Sequence, residues 1–203
     1  MRETGEIVLY APYSANQAKI ESIVNSKIDW IEKHSKITNE RISLLPTLQE
    51  GSKIYIAGKV YLIGYSDNNR VFLGKDGETL FLPKDNLKAG LTAFIKAIFL
   101  PYVSKKTQYF ASKFAFNYKE IKVKKLKRVW GSCSVNNLIT YSLALALVPE
   151  DLCDYVVLHE LCHTVQKNHQ KGFYGLLKLV LPNYKEKQKK LKEFSAYCQF
   201  LGG

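Results

Sequence analysis

The chain has 203 residues, 46% of them hydrophobic and 24% charged, which is enough to bury one large core or two small ones and excludes a disordered chain. Its formal net charge of +12 points to acidic partners, such as nucleic acid, nucleotides or an anionic membrane surface, without requiring one. Met1 to Gly5 lacks the apolar core of a signal peptide, no stretch is expected to reach the length of a membrane span, and Cys133, Cys153, Cys162 and Cys198 show no C-x-x-C spacing. The expectation is a cytoplasmic protein with reduced thiols and no membrane partner.

Residues 14–36 have helical periodicity through Ile20, Ile23, Val24, Ile28 and Ile31, with Ser14 placed to cap the start. His34 falls in this charged stretch and reads as a solvated side chain. Residues 53–56, 60–63 and 79–82 are β-rich runs separated by Ala57-Gly58, Asp67-Asn68-Asn69 and Asp76-Gly77, the turn chemistry of hairpins. Residues 86–116 are aromatic and helical in period, and Pro101 is expected to kink or divide them. A boundary near residue 85 then separates a β-rich N-terminal region with one helix, residues 1–85, from a second region, residues 86–203.

In that second region, residues 121–126, 129–134 and 138–145 read as strands, the first alternating apolar and basic side chains. Residues 149–167 read as a helix whose start is favoured electrostatically by Glu150 and Asp151. Two more helices, 173–181 and 184–200, are separated by Pro182-Asn183. The lysine runs at 119–128 and 185–192 read as solvated faces ahead of a nucleic-acid surface. Cys162 reads as a small packed residue, and Cys133, within Trp130-Gly131-Ser132-Cys133-Ser134, as a turn and packing residue ahead of a nucleophile.

The chemistry concentrates in His159-Glu160-Leu161-Cys162-His163. A helix turns about 100° per residue, so His159 and His163 project from one face and can share a metal ion, with Glu160 beside them as general base. Such pairs also occur as solvated or core histidines. Two imidazoles alone do not hold a catalytic zinc tightly, and the best third ligand is His169, ten residues after His159. Gln166 stands where the extended H-E-x-x-H-x-x-G-x-x-H pattern has glycine. A left-handed Asn168 is expected to end the helix and swing His169 back towards the metal.

Trp130-Gly131-Ser132-Cys133-Ser134, then Asp154-Tyr155-Val156-Val157-Leu158 leading into the histidine motif, then Asn168-His169 and Phe173, follow in the order seen in the YgjP-like metallopeptidases, zincins of the WLM type, which the chain resembles. Ala11-Pro12, Asp29-Trp30-Ile31 and Gly58-Lys59-Val60-Tyr61-Leu62 extend a weaker likeness to the front. The resemblance implies an α+β protein, its β-rich N-terminal region followed by a zincin-like catalytic region with a small sheet and the H-E-x-x-H helix. It further implies zinc on His159, His163 and His169, Glu160 as base, and a substrate-lining strand.

Val129 stands where the family usually has arginine, Tyr141-Ser142 where it has asparagine, and Tyr174 where it has tryptophan. Arg128 is expected to supply the missing charge, so that Arg128, Trp130, Ser132 and Tyr141 become the candidate substrate contacts. The leading expectation is a zinc metallopeptidase acting on a peptide or protein paired with an edge strand near residues 138–145. An alternative is a UTP-type nucleoside triphosphate pyrophosphatase on the same site, with lysines and Arg128 clamping phosphates and Mg or Mn as working ion. A third, by analogy with SprT-like proteases, is a DNA-associated protease or a metal-stabilised binding module.

Overall fold

The computed structural model describes residues 8–202. The chain divides between Leu45 and Pro46 into two compact units, whereas the sequence reading places the division near residue 85. The reason lies in the contacts of the first sheet, which packs with the helices that follow it.

The first unit contains two helices where periodicity suggests one, α1 (Gln17–Asn25) and α2 (Ile28–Ser43). The interruption falls at Ser26, whose hydroxyl donates to the Ile23 carbonyl at 2.8 Å and whose N–H closes the end of α1. The N-cap is Asn16, accepting from Ala18 N–H at 2.9 Å, two residues past the expected Ser14. His34 stacks on Trp30 with ring centroids 3.9 Å apart and bonds the Trp30 carbonyl.

In the second unit, β1 (Lys53–Ile56), β2 (Lys59–Ser66), β3 (Phe72–Leu73) and β4 (Thr79–Pro83) form a sheet in the order β1-β2-β4-β3. Ala57 and Gly58, at φ 49° and 86°, make the tight two-residue hairpin that their sequence announces. A second hairpin joins β3 to β4, but β2 and β4 pair in parallel. Ile54, Ile56, Ile63, Leu80 and Leu82 are buried on the inner face.

A short turn, Lys84–Asn86, leads from β4 into α3 (Leu87–Phe114). This helix runs unbroken past Pro101, where the sequence suggests a kink or a division. Its buried positions, Leu91, Ile95, Phe99, Val103, Thr107 and Ala111, recur every four residues and form one stripe against the core. By length and composition Lys84–Phe114 is long and apolar enough to cross a bilayer, which corrects the expectation that no stretch approaches a membrane span. A core helix meets the same criterion, and the stripe packs on β4, on a three-stranded sheet and on the helix that carries the histidine motif.

That second sheet contains β5 (Glu120–Lys124), β6 (Gly131–Cys133) and β7 (Leu138–Ser142), in the order β5-β7-β6. The strand expected at 138–145 stops at Ser142, whose hydroxyl accepts from Ala144 N–H and caps a buried helical turn, Leu143–Leu147. β7 is central, parallel to β5 and antiparallel to β6, so it is not the edge strand expected to receive a peptide. β6 is.

The helix α4 (Glu150–Cys162) is buried on almost every face and is the centre of the unit. Its first turns are clamped from both sides. Lys106 of α3 bonds Glu150 and Asp154, each at 2.6 Å, and Asp151 meets Lys187 of α6 (Tyr184–Leu191) at 2.6 Å. Burial works against the Lys106 charge, but the two carboxylates hold its pKa above the ordinary value. The remaining helices, α5 (Lys171–Val180) and α7 (Ala196–Gly202), complete the α+β unit.

Candidate metal centre

α4 delivers His159 in its last turn and ends at Cys162, with His163 as its cap residue. The chain then turns sharply: the Val165 and Gln166 N–H groups both bond the Cys162 carbonyl. The helix therefore ends seven residues before His169 and not beside it. Asn168 is not among the described residues with positive φ, so the left-handed turn expected there does not form. A short irregular loop brings His169 back instead.

Three Nε2 atoms converge. His163 lies 3.2 Å from His159 and 2.9 Å from His169, and His169 lies 3.1 Å from His159. Among the described residues this is the one group of His, Cys, Asp and Glu whose donor atoms cluster closely enough to hold an ion, all within 4.8 Å. A tetrahedral ion bound at about 2.0–2.1 Å spreads its nitrogens to roughly 3.3 Å, close to the spacing observed. Phe173 of α5, fully buried, forms the floor, with its ring centroid 4.4 to 4.9 Å from the three imidazoles. Tyr155, one turn before His159 on α4, packs edge-on against that ring.

The protonation of these rings follows from their surroundings. His163 Nδ1 lies 2.9 Å from the Gln166 carbonyl, which only an N–H can satisfy, so Nε2 carries a lone pair. Burial first, then the charges that His163 and His169 would carry, together push His159 down to about 3. His163 is also lowered, by burial first; the Gln166 carbonyl opposes the shift, and His169 and Lys167 add to it. Three imidazole nitrogens facing one another at about 3 Å form a ready donor set for a cation placed between them. The donor set thus fits a metal ion, and the nitrogens suit zinc.

Glu160 points from the same helix towards the second sheet and is 4% exposed. Burial raises its pKa to about 8, and its Oε2 has no hydrogen-bond partner. The carboxylate lies against the backbone of Gly131, where an added Cβ would come within 2.7 Å of Oε1. Only glycine lets β6 approach this closely, a role for the Trp-Gly-Ser-Cys segment that sequence reasoning missed although a glycine inside a strand signals it.

The backbone of β6 alternates in direction. Ser142 N–H donates to the Trp130 carbonyl and Ser134 N–H to the Leu138 carbonyl, so Trp130, Ser132 and Ser134 face β7. The N–H and C=O groups of Gly131 and Cys133 consequently point to the free edge.

Of the candidate substrate contacts, Trp130 is half-buried at the start of β6, Ser132 is exposed, and Arg128 is exposed in the preceding segment. Tyr141 is a correction: it is fully buried, with its hydroxyl 3.1 Å from that of Thr107, and no substrate reaches it. Cys133 and Cys162 are free thiols, and burial raises the pKa of both. Cys162 is packed in the core, as its context suggests, and Cys133 is half-buried on β6.

A family model of the YgjP-like metallopeptidase domain matches residues 1–194. Among solved structures, the chain is similar to the metallopeptidase zymogen abylysin of Pyrococcus abyssi, with a TM-score of 0.41 and 20% identity over 44% of this chain and 90% of that one. No curated protein matches.

Proposed function

This chain belongs to the YgjP-like metallopeptidase family, and from that premise we propose that it is a zinc-dependent peptidase whose ion is held by His159, His163 and His169. The observation that carries this reading is the close approach of three histidine Nε2 atoms beside a buried carboxylate with an unpartnered oxygen. When bound, zinc acidifies a water molecule and polarises the scissile carbonyl.

The chain's own residues do the rest. The Gln166 carbonyl fixes the tautomer of His163 and keeps its Nε2 aimed inward. An extended peptide adds to the free edge of β6, bonding the outward N–H and C=O groups of Gly131 and Cys133, which sets its carbonyl next to Glu160. Oε2 of Glu160 removes a proton from the attacking water. As the C–N bond breaks, Glu160 returns that proton to the departing amine, leaving a new carboxyl terminus and a new amino terminus. The unpartnered Oε2 of Glu160 is free to take that proton, since no other hydrogen bond occupies it.

The family favours a peptide or protein substrate over a nucleoside triphosphate or nucleic acid. Metal analysis with casein and nucleoside triphosphate assays, run on wild type and Glu160→Gln, tests the proposal. The expected result is one zinc per chain in both proteins, with casein cleavage about a hundredfold or more lower in the variant. Equal cleavage by the two proteins, or hydrolysis of a nucleoside triphosphate in place of casein, would contradict it.

A further inference from the structure

The loop between α4 and α5 carries contacts that metal binding does not itself require. Lys167 lies one residue after Gln166, whose carbonyl orients His163, and two residues before His169. Its ammonium donates to the Ser134 carbonyl at 2.8 Å and to Asn137 Oδ1, and it sits 3.8 Å from Cys133 Sγ. All three acceptors belong to β6 or to the turn joining it to β7. Asn137 is itself fixed: its φ is 58°, its N–H bonds the Ser134 carbonyl at 3.0 Å, and its side-chain amide donates to the Asn117 carbonyl at 3.2 Å. One side chain therefore ties the loop that bears His169 to the strand that lies against Glu160.

A positive charge is an unfavourable choice for that place unless its position is useful. Lys167 stands on the short loop between two of the metal ligands, His163 and His169. An ammonium with no geometric role would weaken the binding of a dication. We propose that Lys167 is a positioning residue: its bonds to Ser134 and Asn137 hold His169 and the Gln166 carbonyl at a fixed spacing from the Gly131–Cys133 edge. This rests on the zinc peptidase reading above.

The two effects of Lys167 have opposite signs, which makes the inference testable. Loss of its charge alone tightens metal binding, and loss of its hydrogen bonds loosens it. Wild type, Lys167→Met, Lys167→Arg and Asn137→Gly are titrated with Co2+ against a competing chelator. The visible spectrum of bound Co2+, KM and kcat on a casein peptide, and the melting temperature of the metal-free protein are also recorded. Asn137→Gly keeps the left-handed turn and the charge while removing one acceptor of Lys167, together with the amide's bond to the Asn117 carbonyl.

Lys167→Met is expected to bind Co2+ about tenfold more weakly, with a shifted visible band and a raised KM, as outer-shell changes do. Lys167→Arg recovers most of the loss, Asn137→Gly moves the same way as Lys167→Met, and the metal-free melting temperatures stay close together. Binding in Lys167→Met and Asn137→Gly as tight as in wild type, or tighter, with an unchanged spectrum, overturns the inference and leaves the zinc reading standing. A wild type that takes up neither Co2+ nor Zn2+ overturns the zinc reading, and this inference with it.

Discussion

His159 and His163 stand on a helix buried on nearly all sides, whereas His169 hangs from an exposed loop, yet their donor atoms meet within 3.2 Å. α4 owes its position to apolar packing and to ion pairs that fasten its first turns to α3 and α6. The loop owes its position to a few polar bonds, from Gln166 to His163 and from Lys167 to the β6–β7 turn. A helix in a packed core presets ligands at no cost in local adaptability, and a loop must be tied down bond by bond. The two halves of the centre should therefore respond differently when disturbed.

The largest expected effect comes from the helix side. Gly131→Ala places a methyl group 2.7 Å from Glu160 Oε1, and a carboxylate enclosed by the core has little room to retreat. Peptidase kcat should fall about a hundredfold, as a displacement of about 1 Å in a reacting group does, while zinc content stays at one per chain. Unchanged kcat would mean that Glu160 tolerates the strand's retreat and that the close approach of β6 is incidental.

A smaller effect is expected further from the chemistry. In Lys106→Met, Glu150 and Asp154 lose their shared cation; the Lys106 side chain is 15% exposed and Asp154 29%, so part of the penalty for stranded buried charge applies. Denaturant unfolding should show a loss of about 2 kcal/mol, with zinc affinity little changed at temperatures where the protein stays folded. An equal loss of stability and of metal affinity would erase the distinction between the two halves, because it would make the helix as adjustable as the loop.

The same contrast explains what could be read from the sequence. The H-E-x-x-H helix was legible because its spacing and its chemistry are both local, and the ten-residue interval pointed to His169. The path of the loop was not: Asn168 is a good left-handed residue, but the chain turns at His163 through bonds to the Cys162 carbonyl. Leu143–Leu147 alternates like a strand, yet Ser142 caps it into a helical turn whose side chains are all buried, so periodicity carried no directional information.

Alternation also cannot say which strand lies at an edge, which is why β7 seemed a substrate platform and Tyr141 a contact. Gly131 and Lys167 take their meaning from partners roughly thirty residues away, Glu160 for the one and Ser134 and Asn137 for the other. Only the folded chain brings those partners together.

The central claim is that all three imidazoles bind one ion although they are held by such different means. Zinc K-edge X-ray absorption on the zinc-loaded protein tests it most directly. The expected spectrum for wild type fits three imidazole nitrogens at about 2.0–2.1 Å with one oxygen, falling to two imidazoles in His169→Ala. A wild-type spectrum with only two imidazoles, or with a sulfur ligand, that His169→Ala leaves unchanged would contradict it.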